Sequence, residues 1–194
     1  MASISFKPKQ VTRRLLSSVP DRARDVLAKR FGLLGGKGLT LDAIGKEYGI
    51  TRERVRQIES FGLHAIKKSP AFAAEAPVFD ELKRTITGLG GIVAEDDLLS
   101  EISKDEENKK HILLFLTLGD EFARSREDEH FKHRWCVFRE TAAHVEQSLK
   151  RLYESLSDQD LIAEPDLIVR FLDHLKDVAD QYKNEEIARR WLYI

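Results

Sequence analysis

A chain of 194 residues with 42% hydrophobic and 34% charged content suffices for one or two packed domains and is too apolar to be read as disordered. It has no apolar run near the roughly 20 residues of a membrane helix, no apolar signal segment at its start, and only Cys136, so it forms no internal disulfide and suits the cytoplasm. The net charge of −1 hides a division, because residues 1–70 hold 15 Lys and Arg against 6 Asp and Glu while the remainder holds 17 against 27, which turns the first part toward a polyanion and the second elsewhere.

Helix signals dominate, so the fold class is mainly α. A first helix is expected over 11–17, ending before Pro20. Asp21–Phe31 is the second, with Pro20 where a helix can begin and Ala23, Val26, Leu27 and Arg30 at helical spacing. Residues 32–38 are a loop by glycine content. Thr40 is a good N-cap for a short helix, Leu41–Tyr48, and Gly49 suits the left-handed position just past its end. Thr51 caps the next helix, which runs to about Lys68 before Pro70. Two capped helices about a short glycine-bearing turn form a helix-turn-helix pattern. Residues 1–70 are therefore read as a four-helix, helix-turn-helix domain.

Residues 69–77 read as a linker, placed where the charge changes sign. Helices follow near 78–87, 95–103 and 108–118, with a glycine turn at 88–91. Residues 122–126 and 131–137 look like two strands around an acidic tip, Glu127-Asp128-Glu129. Three helices and a hairpin make residues 71–138 an acidic, α-helical winged-helix domain with a small β-hairpin, and 139–194 a further helical segment. Ala94-Glu95-Asp96-Asp97-Leu98-Leu99 recurs as Ala163-Glu164-Pro165-Asp166-Leu167-Ile168, and Asn108-Lys109-Lys110-His111-Ile112 has a looser echo in Asn184-Glu185-Glu186-Ile187-Ala188. Chance and duplication account for two such short matches equally well. Under duplication, 139–194 is an incomplete second winged-helix repeat, and the chain is a fragment or lacks the second wing.

The informative stretch is Thr51-Arg52-Glu53-Arg54-Val55-Arg56-Gln57-Ile58-Glu59. On a helix, Val55 and Ile58 share one face, with Phe61 and Ala65 behind them. Arg52, Glu53, Arg56, Gln57 and Ser60 share the opposite face. Arginine grips O6 and N7 of guanine, glutamine N6 and N7 of adenine, and glutamate accepts from N4 of cytosine. Such side chains in the first turns of the second helix are what enters a major groove. Thr40, Lys46 and Arg54 surround them as candidate phosphate contacts. A solvated charged face is the ordinary meaning of such a run. The two threonine caps, the glycine turn and the basic surroundings favour DNA.

These residues carry a resemblance. Thr40-Leu41-Asp42-Ala43-Ile44-Gly45-Lys46-Glu47-Tyr48-Gly49-Ile50-Thr51-Arg52-Glu53-Arg54-Val55-Arg56-Gln57-Ile58-Glu59 resembles region 4.2 of the sigma-70 family. Pro20-Asp21-Arg22-Ala23-Arg24-Asp25-Val26-Leu27-Ala28-Lys29-Arg30-Phe31-Gly32 is similar to region 4.1, and the likeness spans about residues 10–68. It implies binding of double-stranded DNA at a promoter −35-like element, with Arg52, Glu53 and Gln57 on base-reading positions. Arg22, Thr40, Leu41, Arg54 and Arg56 match positions on or near the DNA backbone, and Lys46 and Thr51 complete the backbone candidates. It also implies a partner, bacterial RNA polymerase, whose beta flap region four holds in an apolar groove. Two departures stand out. Regions one to three, which grip the polymerase core and melt the −10 element, have no counterpart in these residues. Phe61, Gly62 and His64 stand where the family often continues with basic side chains.

The acidic half is similar in pattern to the HARE-HTH winged helix, which also forms the N-terminal domain of the polymerase delta subunit. The pattern rests on Leu98, Leu99, Ile102, Ile112, Phe115, Leu116, Phe122, Phe131 and Trp135. Its negative charge repels a DNA backbone, which favours protein contact, a passive stabilising domain being the other reading. His111, His130, His133 and Cys136 read as buried or solvated side chains rather than metal ligands, since strand alternation sends His133 and Cys136 to opposite faces. Phe131 and Trp135 read as core. Without a phosphate loop or a nucleophile–base pair, the sequence points to no enzyme, cofactor, metal, small-molecule substrate or membrane. The resulting expectation is a cytoplasmic, nucleoid-associated transcription regulator. Its alternatives are a polymerase-binding adaptor without base readout and a DNA-targeting fragment of a larger enzyme.

Overall fold

The computed structural model describes residues 4–157 and 161–194. Its helices alternate with one small antiparallel sheet, and the chain divides into two compact units. The first is the segment up to Leu82 together with Leu99–Asp120; the second is Lys83–Leu98 with Glu121–Ile194.

In the first unit, α1 (Pro8–Leu16) starts earlier than the apolar pattern suggests, because Pro8 occupies the first turn, where its missing N–H costs nothing. α1 buries Val11, Leu15 and Leu16, and α2 (Asp21–Phe31) buries Ala23, Val26, Leu27 and Ala28. Next come α3 (Leu41–Tyr48) and α4 (Arg52–Lys67). Residues 69–77 are mostly helical rather than a linker. Ser69 caps α5 (Pro70–Ala74) by accepting from the Phe72 N–H at 3.1 Å, and α6 (Ala76–Gly88) begins almost at once. Phe72 meets Phe79 of α6 at 4.7 Å between ring centroids. Proline and alanine here signal a helix start, not a spacer.

Helix α8 (Glu106–Leu118) belongs to this same unit. Asp105 caps it, and Ile112, Leu114, Phe115, Leu116 and Leu118 are buried. Phe6 meets Phe115 edge-on at 6.1 Å, and Thr12 Oγ1 lies 2.9 Å from Nδ1 of the buried His111. Lys67 bridges to Asp120 at 2.5 Å, and Arg14 pairs with the buried Glu75.

In the second unit the expected hairpin is present as β2 (Ala123–Ser125) and β3 (Arg134–Cys136). A third strand, β1 (Ile92–Ala94), was not foreseen: three residues, all buried, give no alternation to read. β1 pairs with β3 through Ile92↔Cys136 and Ala94↔Arg134, giving the order β1-β3-β2. The chain order is α6, β1, α7 (Glu95–Ile102), α8, β2, β3. The remainder is α9 (Arg139–Glu154), α10 (Glu164–His174), a short 3-10 turn at Asp180–Tyr182, and α11 (Glu185–Leu192). Their core centres on Trp191, which meets Phe171 and Tyr182 edge-on at 6.3 and 6.2 Å. Ala163 immediately precedes α10 as Ala94 precedes α7, but Asn184 is the cap of α11 whereas Asn108 lies inside α8.

Candidate nucleic-acid interface

The turn between α3 and α4 follows from a few residues. Thr40 Oγ1 accepts from the Ala43 N–H at 3.1 Å and Thr51 Oγ1 from the Arg54 N–H at 3.1 Å, so each threonine satisfies a donor that its helix start leaves unpaired. α3 stops at Gly49, which is left-handed at φ 65°, and the Ile50 N–H closes back on the Gly45 carbonyl at 2.9 Å. A Cβ at Gly45 would sit 2.7 Å from the Ile50 oxygen, so only glycine lets the chain double back this tightly. Beneath the turn, Val26, Ile44 and Val55 are fully buried, with Leu39, Leu41, Tyr48, Ile50 and Ile58 packed around them.

This core fixes the rotation of α4. Val55, Gly62 and Ile66 face inward, while Arg52, Glu53, Arg56, Gln57 and Ser60 are exposed on the other side. Phe61 corrects the expected inner face, being 58% exposed. At about 100° per residue it lies roughly 120° from Val55 around the axis, and Gly62 takes the inner position instead. A Cβ on Gly62 would lie 3.0 Å from Leu27 Cδ1, so the glycine permits the close approach of α2 and α4. Arg30 locks the pair, donating to Glu59 Oε1 at 3.1 Å and to the Leu39 carbonyl at 3.1 Å.

Four of the exposed side chains of α4, Glu53, Arg54, Arg56 and Gln57, are hydrogen-bonded among themselves. Arg56 donates twice to Glu53, both at 2.8 Å; Arg54 donates to Gln57 Oε1 at 3.0 Å; and Gln57 Nε2 lies 3.4 Å from Glu53 Oε1. The Arg56 hydrogen bonds, with Arg52 adding its charge, hold the Glu53 carboxyl below the ordinary carboxylate range. The face therefore stays ionised and offers donors and an acceptor together at neutral pH.

The backbone candidates lie around this face. Thr40, Lys46, Thr51, Arg54 and Arg56 are exposed and Leu41 is half-buried. Arg22, exposed on the first turn of α2, stacks on the Tyr48 ring at 5.2 Å, and Lys29 Nζ stands 4.7 Å from the same ring. The carboxylates of Glu47 at 2.7 Å and Asp25 at 3.4 Å keep Lys29 firmly protonated, the Glu47 bond contributing most. Sequence reasoning had passed over Tyr48. The available signal was that Arg22 and Lys29, seven apart, share one face of α2, with an aromatic at the end of the next helix.

Elsewhere, His130 is exposed, His133 Nδ1 accepts from the Glu127 N–H at 2.7 Å, and His133 precedes β3 rather than alternating within it. Cys136, Phe131 and Trp135 are buried, and Trp135 donates to Glu95 at 2.8 Å. Among the described residues no three His, Cys, Asp or Glu side chains gather as a metal site, and no helix is long and apolar enough to cross a membrane.

No solved structure matches the chain. Residues 15–68, well under half of it, match the family model described as sigma-70, region 4. The matched segment holds α2, α3 and α4 entire, with both threonine caps and the glycine turn. Residues 15–68 are thus similar to a sigma-70 region 4 helix-turn-helix, and the similarity supports a DNA-binding role in transcription regulation.

Proposed function

We propose that this protein is a sequence-specific transcription regulator that reads a promoter −35-like element by laying the first turns of α4 in the major groove. Arg52, Glu53 and Gln57 read base edges, while Arg22, Thr40, Leu41, Lys46, Thr51, Arg54 and Arg56 fix the register along the phosphates. The supporting observation is the exposed donor–acceptor set on a threonine-capped second helix within the matched module. Bacterial RNA polymerase, through its beta flap, is the proposed partner, and the acidic downstream half makes protein rather than DNA contacts. On this reading the protein works in the cytoplasm on the nucleoid and catalyses no reaction of its own.

Binding measured against a −35-type duplex and a scrambled duplex of equal length tests this reading. Arg52→Ala and Gln57→Ala are each expected to cost about 1–3 kcal/mol on the −35-type duplex alone. Equal affinity of the unsubstituted protein for both duplexes would reject base readout. Capture of the chain by core polymerase, lost when the flap helix is deleted, is expected. Capture without any base preference favours an adaptor.

A further inference from the structure

We infer that Tyr48 is a positioning residue for DNA binding, an aromatic platform that holds the Arg22 guanidinium in place to meet a phosphate. The inference rests on the proposed backbone role of Arg22 and assigns what makes that role possible. Arg22 lies on the first turn of α2, and among the described residues it forms no ion pair, so no carboxylate fixes it. What does face it is the Tyr48 ring, at 5.2 Å from the guanidinium carbon, within the range where the negative face of an aromatic attracts a cation.

The ring is itself well held. Tyr48 is the last residue of α3, directly before the left-handed Gly49, and it packs against the Val26, Ile44 and Val55 cluster. Lys29 stands over the same ring at 4.7 Å, and its own ammonium is anchored by Glu47 and Asp25. Lys29 is thus neutralised by neighbouring acids, whereas Arg22 keeps its full charge for an outside anion. An arginine held by stacking leaves all of its N–H donors available, while one held by a carboxylate would spend them. The same ring belongs to the end of α3 at the turn into α4, so the platform couples the position of Arg22 to the seating of the reading helix.

The salt dependence of binding to a −35-type duplex separates positioning from folding, because each phosphate contact contributes about 0.9 to the slope of log affinity against log salt concentration. With the full chain, Arg22→Ala and Tyr48→Leu are each expected to lower that slope by about 0.9, and the double substitution by no more than either. Tyr48→Phe, which keeps the ring, is expected to retain the original slope. An unfolded fraction would weaken binding at every salt concentration without changing the slope. A second measurement needs no truncated ring: the Arg22 Cδ protons of the unsubstituted protein should show an upfield ring-current shift in the NMR spectrum, kept in Tyr48→Phe. An unchanged slope with Tyr48→Leu beside a reduced one with Arg22→Ala would overturn the platform while leaving the proposed DNA reading intact. An unchanged slope with Arg22→Ala would overturn both the platform and the phosphate role of Arg22. Absence of the ring-current shift would also overturn the platform.

Discussion

His111 is the one histidine of the first unit that the fold encloses, on α8 with its Nδ1 against Thr12. Burial, more than its charged neighbours Glu107, Lys9, Lys110 and Asp105, pushes its pKa below the ordinary value. The unfolded chain therefore takes up a proton on this ring more readily than the folded one. Stability is full above the ordinary histidine pKa of about 6.5 and falls as the pH drops from there toward the lowered native pKa, at no more than about 1.4 kcal/mol per pH unit. Denaturant unfolding between pH 8 and 5 is expected to show this decline in the unsubstituted protein and a flatter one in His111→Asn. Parallel curves would assign the acid sensitivity to other groups. At this scale the sequence was uneven. Thr40 and Thr51 were legible as caps because a cap is a local hydrogen bond. Phe61 and Tyr48 were not, because one degree of helix rotation or another, and the meeting of two helices at one ring, are set by tertiary packing.

At the scale of elements, helix existence and order could be read from periodicity, whereas three-residue β1 and the Ser69-capped α5 could not. β1 is too short to show a pattern, and its pairing with β3 joins residues some forty positions apart. The membership of α8 was equally hidden. Its apolar residues were visible, but not that they serve the same unit as α1. Phe115, fully buried and edge-on to Phe6, is expected to cost about 3–5 kcal/mol when replaced by alanine. The loss should appear in the exchange protection of α1 amides as well as those of α8. Undisturbed protection of α1 would mean that α8 does not support it.

For the whole molecule, the net charge near zero and the strongly basic first 70 residues carry different information. Only the latter bears on a polyanion, and it was fully visible in the sequence. Four of the proposed backbone contacts are cations, Arg22, Lys46, Arg54 and Arg56, so the slope of log affinity against log salt concentration for the full chain should be about −3 to −4. A slope near zero would mean that these side chains do not displace counterions from DNA. The boundary between the two units, by contrast, could not be read from composition, because the chain passes from one to the other within α6, again within α7, and once more after Asp120. This path sets a schedule for biosynthesis. The matched module ends at residue 68, yet the helix that packs beside α1 ends at Leu118. At roughly 5–20 residues per second of translation, the nascent module waits some seconds, already synthesised but still lacking a wall, until α8 leaves the ribosome.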